Sequence, residues 1–161
     1  MTDQTRQDDI TTLNTLTATL IDSVTGYEDA ASNLAGASFE GSSRFQQLFR
    51  DRASERGKAV EDLRAEVRRL GGNPEDDGSF LGKTHQRFLD LKAVVTGRDE
   101  KAIINEVERG EDYLKEKFET ALKLDTLGSE CRAVIERAYQ SVKSGHDQVS
   151  QLKHGMEGTR A

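Results

Sequence analysis

Charged residues interrupt the apolar stripes of four predicted helices, each time near the middle of the helix. The candidates in the four helices are, in chain order, Glu28, then Glu55 and Lys58, then Glu111, then Lys143 and His146. A di-iron carboxylate centre in a helical bundle takes one glutamate from each of two helices and a Glu-x-x-His pair from each of the other two. The positions of these residues match that pattern, but only part of the ligand chemistry is present.

Two lysines separate the possible interpretations of these positions. Lys58 stands where a histidine ligand would be needed, and Lys143 stands where a glutamate would be needed. A protonated lysine cannot ligate a cation and repels one nearby. The chemistry is therefore either a central network of ion pairs or a metal site with fewer ligands.

Each interpretation assigns its own residues. In the ion-pair network, cationic side chains neutralise the buried carboxylates, and the candidates are Lys58, Lys143, Arg52 and Arg56, with Arg109 as a further possibility. In the metal site, three carboxylates and one imidazole would suit iron, manganese or zinc, and the ligands would be Glu28, Glu55, Glu111 and His146. The first interpretation needs no cofactor.

The segment 99–123 predicts the helix on which the rest of the chain is organised. Its apolar residues recur at helical spacing and form one stripe, made of Ile104, Val107, Leu114, Phe118 and Ala121. The step from Val107 to Leu114 passes through Glu111, which places a carboxylate in the face that this helix should bury. A buried carboxylate must be paired, or its pKa rises and it becomes protonated.

The periodicity of the whole chain predicts an all-α fold. Helical patterns cover residues 9–33, 43–70, 79–96, 99–124 and 129–153. Short links make the first pair and the last pair of long helices antiparallel, and a short crossover helix lies between long helices two and three. We expect an up-down-down-up four-helix bundle of the ferritin-like type. The alternative is an up-down-up-down bundle with the short helix as an extra layer.

Composition limits the classes of protein that the chain can be. Of 161 residues, 34% are hydrophobic and 32% are charged, and the net charge is −6. The negative charge argues against nucleic acid or an anionic membrane as partner. No apolar run approaches the roughly 18 residues of a membrane span. With one cysteine and no recognisable secretion signal, we expect a cytoplasmic protein. Residues 9–153 form one predicted domain, with flexible tails at 1–8 and 154–161.

Three strings in the chain resemble a known family. They are VERGEDYLKEKFETAL, GGNP before the crossover, and YQSVKSGHDQV in the last helix, and ERGED is the most specific part. They are similar to a bacterial family of uncharacterised four-helix-bundle proteins in the ferritin-like clan. The resemblance covers nearly the whole chain and implies the fold, not a reaction. It also implies, through the rubrerythrin-type pattern, that the carboxylates and His146 occupy ligand positions.

Two functional hypotheses follow. The first is a non-catalytic bundle that works by association, in general or stress physiology, with no cofactor. Phe39, Phe88 and Leu89 lie at or near the crossover and could form the surface of a homodimer. The second is a metal-binding ferritin-like protein with the ligands given above. No phosphate-binding glycine loop or nucleophile motif indicates an enzyme.

Overall fold

The computed structural model describes residues 2–34, 42–77 and 100–159, and these residues form four α-helices with no strand among them. The helices are α1 (Asp3–Leu34), α2 (Ser42–Arg69), α3 (Glu100–Leu122) and α4 (Ser129–Thr159). The described part of the chain is therefore an all-α four-helix bundle, as predicted. Within it, no helix combines the length and the apolarity needed to cross a membrane.

The helix bounds differ from the prediction mainly at the two ends of the chain. Helix α1 begins at Asp3 rather than at residue 9, because the Thr2 hydroxyl accepts a hydrogen bond from the Thr5 amide and caps the helix. Helix α4 continues to Thr159 rather than ending at residue 153. The predicted crossover helix at 79–96 lies outside the described residues.

Helix α2 ends in a glycine motif. The amide of Gly71 donates to the Arg68 carbonyl and the amide of Gly72 donates to the Val67 carbonyl, both at 2.9 Å. Gly71 has a φ of +84°, a left-handed conformation that glycine adopts without a steric penalty. A β-carbon at Gly72 would stand 2.9 Å from the Ile10 side chain, so this glycine also lets the turn approach α1 closely.

Hydrogen bonds at the helix ends join consecutive helices into antiparallel pairs. The Asn14 amide group donates to the Asn73 carbonyl, and its oxygen accepts from the Glu75 amide, so the chain after α2 is fixed to α1. At the other hairpin, the Arg132 guanidinium of α4 donates to the carbonyl oxygens of Leu122 and Leu124 at the end of α3.

Polar contacts between the two hairpins show which helix ends lie together. Arg44 near the start of α2 pairs with Glu100 at the start of α3, at 3.1 Å. Arg69 at the end of α2 pairs with Glu130 at the start of α4, at 2.9 Å. The Asp9 carboxylate near the start of α1 accepts from the Gly128 amide just before α4.

The apolar stripes of all four helices meet in one core. The predicted stripe of α3 is buried along its whole length, and so are most stripe residues of the other helices. Three phenylalanines of this core have no exposed surface, namely Phe45, Phe49 and Phe118. Glu111 is also completely buried, so the interruption of the α3 stripe is real and its carboxylate must be satisfied inside the bundle.

Candidate functional site

The Glu111 carboxylate forms the centre of a buried polar network. Its Oε1 accepts a hydrogen bond from the Tyr27 hydroxyl at 2.7 Å and one from Arg56 Nη2 at 2.8 Å. Its Oε2 accepts from the same Arg56 Nη2 at 2.7 Å. Neither the Arg56 nor the Glu111 side chain has any exposed surface, so this ion pair is shielded from solvent and salt.

Arg56 of α2 is held by residues of two other helices, α1 and α3. Its Nη1 donates to Ser23 Oγ of α1 at 2.9 Å, while Nη2 binds Glu111 of α3. The Tyr27 ring of α1 lies beside it, with the guanidinium carbon 6.0 Å from the ring centroid. Within the described ranges its Nε has no hydrogen-bond partner. These contacts hold the planar guanidinium in one orientation. Little further side-chain entropy is therefore lost when it forms its hydrogen bonds to Glu111.

Arg52 lies one helical turn earlier on the same face of α2 and adds a second cation. Its Nε stands 3.7 Å from Glu111 Oε1, and its Nη1 stands 3.3 Å from Glu55 Oε2. Its Nη2 donates to the side-chain oxygen of Gln148 on α4. The two guanidiniums therefore face one buried and one half-exposed carboxylate, so the formal charges of these four groups balance. Burial of charge is tolerated in proteins when it is compensated in this way.

Gly145 of α4 makes room for both arginines. A β-carbon at this position would stand 2.0 Å from Arg52 Nη1 and 2.7 Å from Arg56 Nη2. Separations under 3.0 Å are not found for real β-carbons, so any larger residue would displace the guanidiniums. The network consequently depends on a residue of α4 that contributes no side chain to it.

The network also changes the acidity of Tyr27. Burial raises the pKa of this phenol well above 10.0, and the neighbouring Glu111 carboxylate raises it further, although Arg56 acts in the opposite direction. Tyr27 therefore stays protonated and acts as a hydrogen-bond donor to the carboxylate. A phenol and two guanidiniums thus surround one carboxylate.

The carboxylates and lysines predicted to meet Glu111 lie elsewhere. Glu28, Lys58 and Lys143 are exposed on the surfaces of α1, α2 and α4, and Glu55 is half exposed. The reason is the direction in which each side chain leaves its helix. Glu28 follows the buried Tyr27 by one residue, which turns it about 100° away from the core, and Lys58 is displaced by two residues from Arg56. The cations at the centre are Arg52 and Arg56, two of the four residues predicted for the ion-pair network.

His146 lies at about the same level along the bundle as Glu111, but its side chain is at the edge of the contact between α3 and α4. Its Nε2 is 2.5 Å from Asp112 Oδ1 on α3, and its Nδ1 is 3.3 Å from Asp147 Oδ1. The hydrogen bond from His146 lowers the pKa of the Asp147 carboxyl, and Lys143 lowers it further. His146 is thus paired with surface carboxylates and not with Glu111.

Among the described residues, no group of three or more His, Cys, Asp or Glu gathers as a cation site. Arg109, the further candidate, binds Glu106 on the surface of its own helix.

A second group of buried polar residues lies where α4 begins. Asp9 is 1% exposed and accepts from the Gly128 amide at 3.2 and 3.4 Å. Burial raises the pKa of Asp9, and the amide hydrogen bond opposes that change. Glu66 is paired with Arg69 through two hydrogen bonds of 2.7 and 2.6 Å. Burial and the charges of these two carboxylates raise the pKa of the Cys131 thiol to about 12, so the cysteine is an unreactive core residue.

The signal for the arginines was present in the sequence. Arg52 and Arg56 lie between Phe49 and Val60 at the spacing of the buried stripe of α2, so the pattern places their side chains toward the core. Ser23 and Gly145 gave no such signal, because a hydroxyl acceptor and a missing side chain acquire their roles only from neighbours on other helices.

The fold and this site define a class of helical bundle in which a buried arginine–glutamate network occupies the core. The model of one protein family matches residues 8–124, which cover most of α1 and the whole of α2 and α3. The chain belongs to this family, which is described as a domain of unknown function (DUF2383). None of the curated proteins matches the chain.

Proposed function

We propose that this protein is a non-catalytic, ferritin-like helical bundle that works by association and needs no metal or other cofactor. The observation that carries the proposal is the position of Arg56. Its guanidinium holds the Glu111 carboxylate by hydrogen bonds of 2.7 and 2.8 Å inside the bundle. In a di-metal bundle, cations would neutralise the inward-facing carboxylates. Here two arginine side chains supply the positive charge.

The arrangement of helix ends supports a ferritin-like order for the bundle. The Arg44–Glu100 pair joins the starts of α2 and α3, and the Asp9–Gly128 contact joins the starts of α1 and α4. Such pairings are those of an up-down-down-up bundle with one long crossover. Membership of the ferritin-like clan, a bacterial origin and the domain bounds 9–153 belong to the same proposal.

The surroundings of Glu111 also support a function without catalysis. Its two oxygens already accept three hydrogen bonds from Tyr27 and Arg56, and these use most of the roughly four lone pairs that a ligand or substrate would need. Arg56 and Glu111 are fully buried, so a substrate has no access to them. A cytoplasmic location is part of the proposal and agrees with the single, buried Cys131. A role in stress physiology stays a prediction from the sequence.

Metal analysis of the intact protein tests this proposal. The chain would be purified without a metal-affinity tag and offered Fe(II) anaerobically, and Mn(II) and Zn(II) in parallel, followed by elemental analysis. We expect substoichiometric metal in the wild-type protein and in Glu111→Gln alike. Near-stoichiometric metal that disappears in Glu111→Gln but persists in Glu116→Gln, an exposed glutamate of the same helix, would overturn the proposal.

A further inference from the structure

The outer side of the α1–α2 hairpin carries a shallow groove. It has a volume of about 480 Å³. Small side chains form most of its floor, and the lining residues include Val24, Ala31, Ala53, Ser54 and Gly57. A β-carbon at Gly57 would meet nothing within 4 Å, so in the described part of the chain the groove is open at this position. A groove of small residues between two helices lets another helical surface approach closely.

Two opposite charges flank this groove. Glu28 of α1 and Arg50 of α2 both line it and both are exposed. Neither forms an ion pair or a side-chain hydrogen bond with any residue in the described ranges. Because these two opposite charges have no partner among residues 2–34, 42–77 and 100–159, the described structure leaves both of them facing outward, where a second molecule could pair with them.

The two charges lie at nearly the same height along the hairpin. Gln46 of α2 donates to the Ala31 carbonyl of α1, and Arg56 of α2 donates to Ser23 of α1. In an antiparallel pair, these two contacts place residue 50 of α2 opposite residues 27–29 of α1. Glu28 and Arg50 are therefore level with each other on opposite sides of the groove.

We propose that the occupant of this groove is a second copy of the chain, which forms a homodimer through the α1–α2 faces. A two-fold axis parallel to the helices would place α1 of one protomer against α2 of its partner at the same height. Each Glu28 would then face the Arg50 of the other protomer, so a single surface supplies both ion pairs. This self-complementarity is what an isologous dimer requires. The inference deepens the proposed function, on which it rests, by naming the partner in association.

The size of the face is sufficient for such a dimer. Helix α2 has 28 residues and is about 42 Å long at 1.5 Å per residue. Two adjacent helices are roughly 20 Å wide together, so the face covers roughly 800 Å², the area that each partner of a standard interface buries. Two copies with a net charge of −6 repel each other at long range. The two facing Glu28–Arg50 pairs oppose this repulsion inside the contact, and they also fix the height at which the two copies meet.

Charge exchange tests the proposed contact, with sedimentation velocity as the readout. We expect the wild-type protein to be a dimer, and Glu28→Arg and Arg50→Glu to be monomers when studied separately, because like charges would then meet twice. The double variant Glu28→Arg/Arg50→Glu should recover the dimer. An equimolar mixture of the two single variants should form a heterodimer, since every facing pair is again opposite in sign.

Two further variants separate the contact from general effects. Glu116→Arg makes the same change in net charge on α3, away from the groove, and should remain a dimer. Gly57→Gln adds a side chain in the groove at a position where a β-carbon meets nothing within 4 Å, and it should be folded by circular dichroism and monomeric by sedimentation velocity.

Two results would overturn the homodimer. One is a wild-type protein that is monomeric at every concentration at which it is soluble. The other is a dimer that neither single charge variant weakens. In either case a metal-free protein would leave the proposed function intact, so the metal analysis and the sedimentation experiment fail independently.

Discussion

The α-carbon of Gly145 on α4 faces the guanidinium of Arg52 on α2 so closely that a β-carbon at position 145 would stand 2.0 Å from Arg52 Nη1. This guanidinium also lies 3.7 Å from the Glu111 carboxylate and binds Gln148. The space beside Gly145 is therefore part of the charge network, because it lets an arginine of α2 lie between α3 and α4.

Gly145→Ala should destabilise the protein. Arg52 and Arg56 are both buried and hydrogen-bonded, so their side chains cannot turn away without losing partners, and overpacking of this kind costs about 1–3 kcal/mol. The free energy of unfolding, measured in urea by circular dichroism, should fall accordingly. Gly155→Ala is the matched control, because a β-carbon there meets nothing within 4 Å. Equal stability of the two variants would contradict close packing at Gly145.

Tyr27 should resist ionisation. Its pKa is raised well above 10.0 in the folded state, chiefly by burial, whereas the unfolded chain titrates near 10.0. Above that pH the unfolded state loses a proton that the native state keeps, so the free energy of unfolding falls as pH rises. In a spectrophotometric titration of phenolate, Tyr27→Phe should lose a component that the wild type shows only on alkaline unfolding. A Tyr27 signal that titrates reversibly near pH 10 in folded protein would refute the buried hydrogen bond to Glu111.

Asp9 should reduce stability at neutral pH. Burial raises its folded pKa above 3.8, so between the unfolded and the folded pKa the native state binds more protons than the unfolded state. Stability therefore falls as pH rises through that window, and the cost remains in full at neutral pH. Asp9→Asn removes the charge but keeps an oxygen that can accept from the Gly128 amide, so it should unfold at higher urea concentration at neutral pH.

The control for this experiment is Asp29→Asn, an exposed aspartate on the same helix, for which a change within about 0.5 kcal/mol is expected. The advantage of Asp9→Asn should shrink as the pH is lowered through the window. A lower stability of Asp9→Asn at neutral pH would mean that the charge of Asp9 on the Gly128 amide outweighs its desolvation.

The burial of Glu111 could be predicted from the sequence because helical periodicity is a local property. Val107, Leu114 and Phe118 fix which side of α3 faces the core, and Glu111 falls on that side by spacing alone. The same reasoning holds for Arg52 and Arg56 on α2. The partner of each side chain on another helix is not a local property. It depends on how each helix is rotated about its axis and how far it is shifted along the bundle.

The lysines show where the sequence pattern was insufficient. Lys58 and Lys143 fall at mid-helix, but both are exposed. Lys58 is two residues from the buried Arg56, which turns it about 200° around the helix axis, and Lys143 is one residue from the buried Val142, which turns it about 100°. Mid-helix height was therefore predicted correctly and direction was not. Phe39, Phe88 and Leu89, predicted as a dimer surface, lie outside the described residues, so that prediction remains a prediction.

A double-mutant cycle on Arg56 and Glu111 measures whether an arginine supplies the charge that balances the buried carboxylate. Glu111→Gln alone leaves the Arg56 guanidinium unpaired inside the bundle and should cost about 3–5 kcal/mol, as should Arg56→Met, which leaves the carboxylate. The double variant removes both charges and should cost less than the sum, with a coupling of about 2–3 kcal/mol.

The cycle would be measured by urea unfolding of the wild type, both single variants and the double variant, once with a chelator and once with added Fe(II). We predict the same coupling in both conditions, because the two partners are side chains of the protein itself. A coupling near zero in the chelator, or one that appears only with the metal, would refute the Arg56–Glu111 ion pair as the source of charge balance and make a bound cation the partner of Glu111.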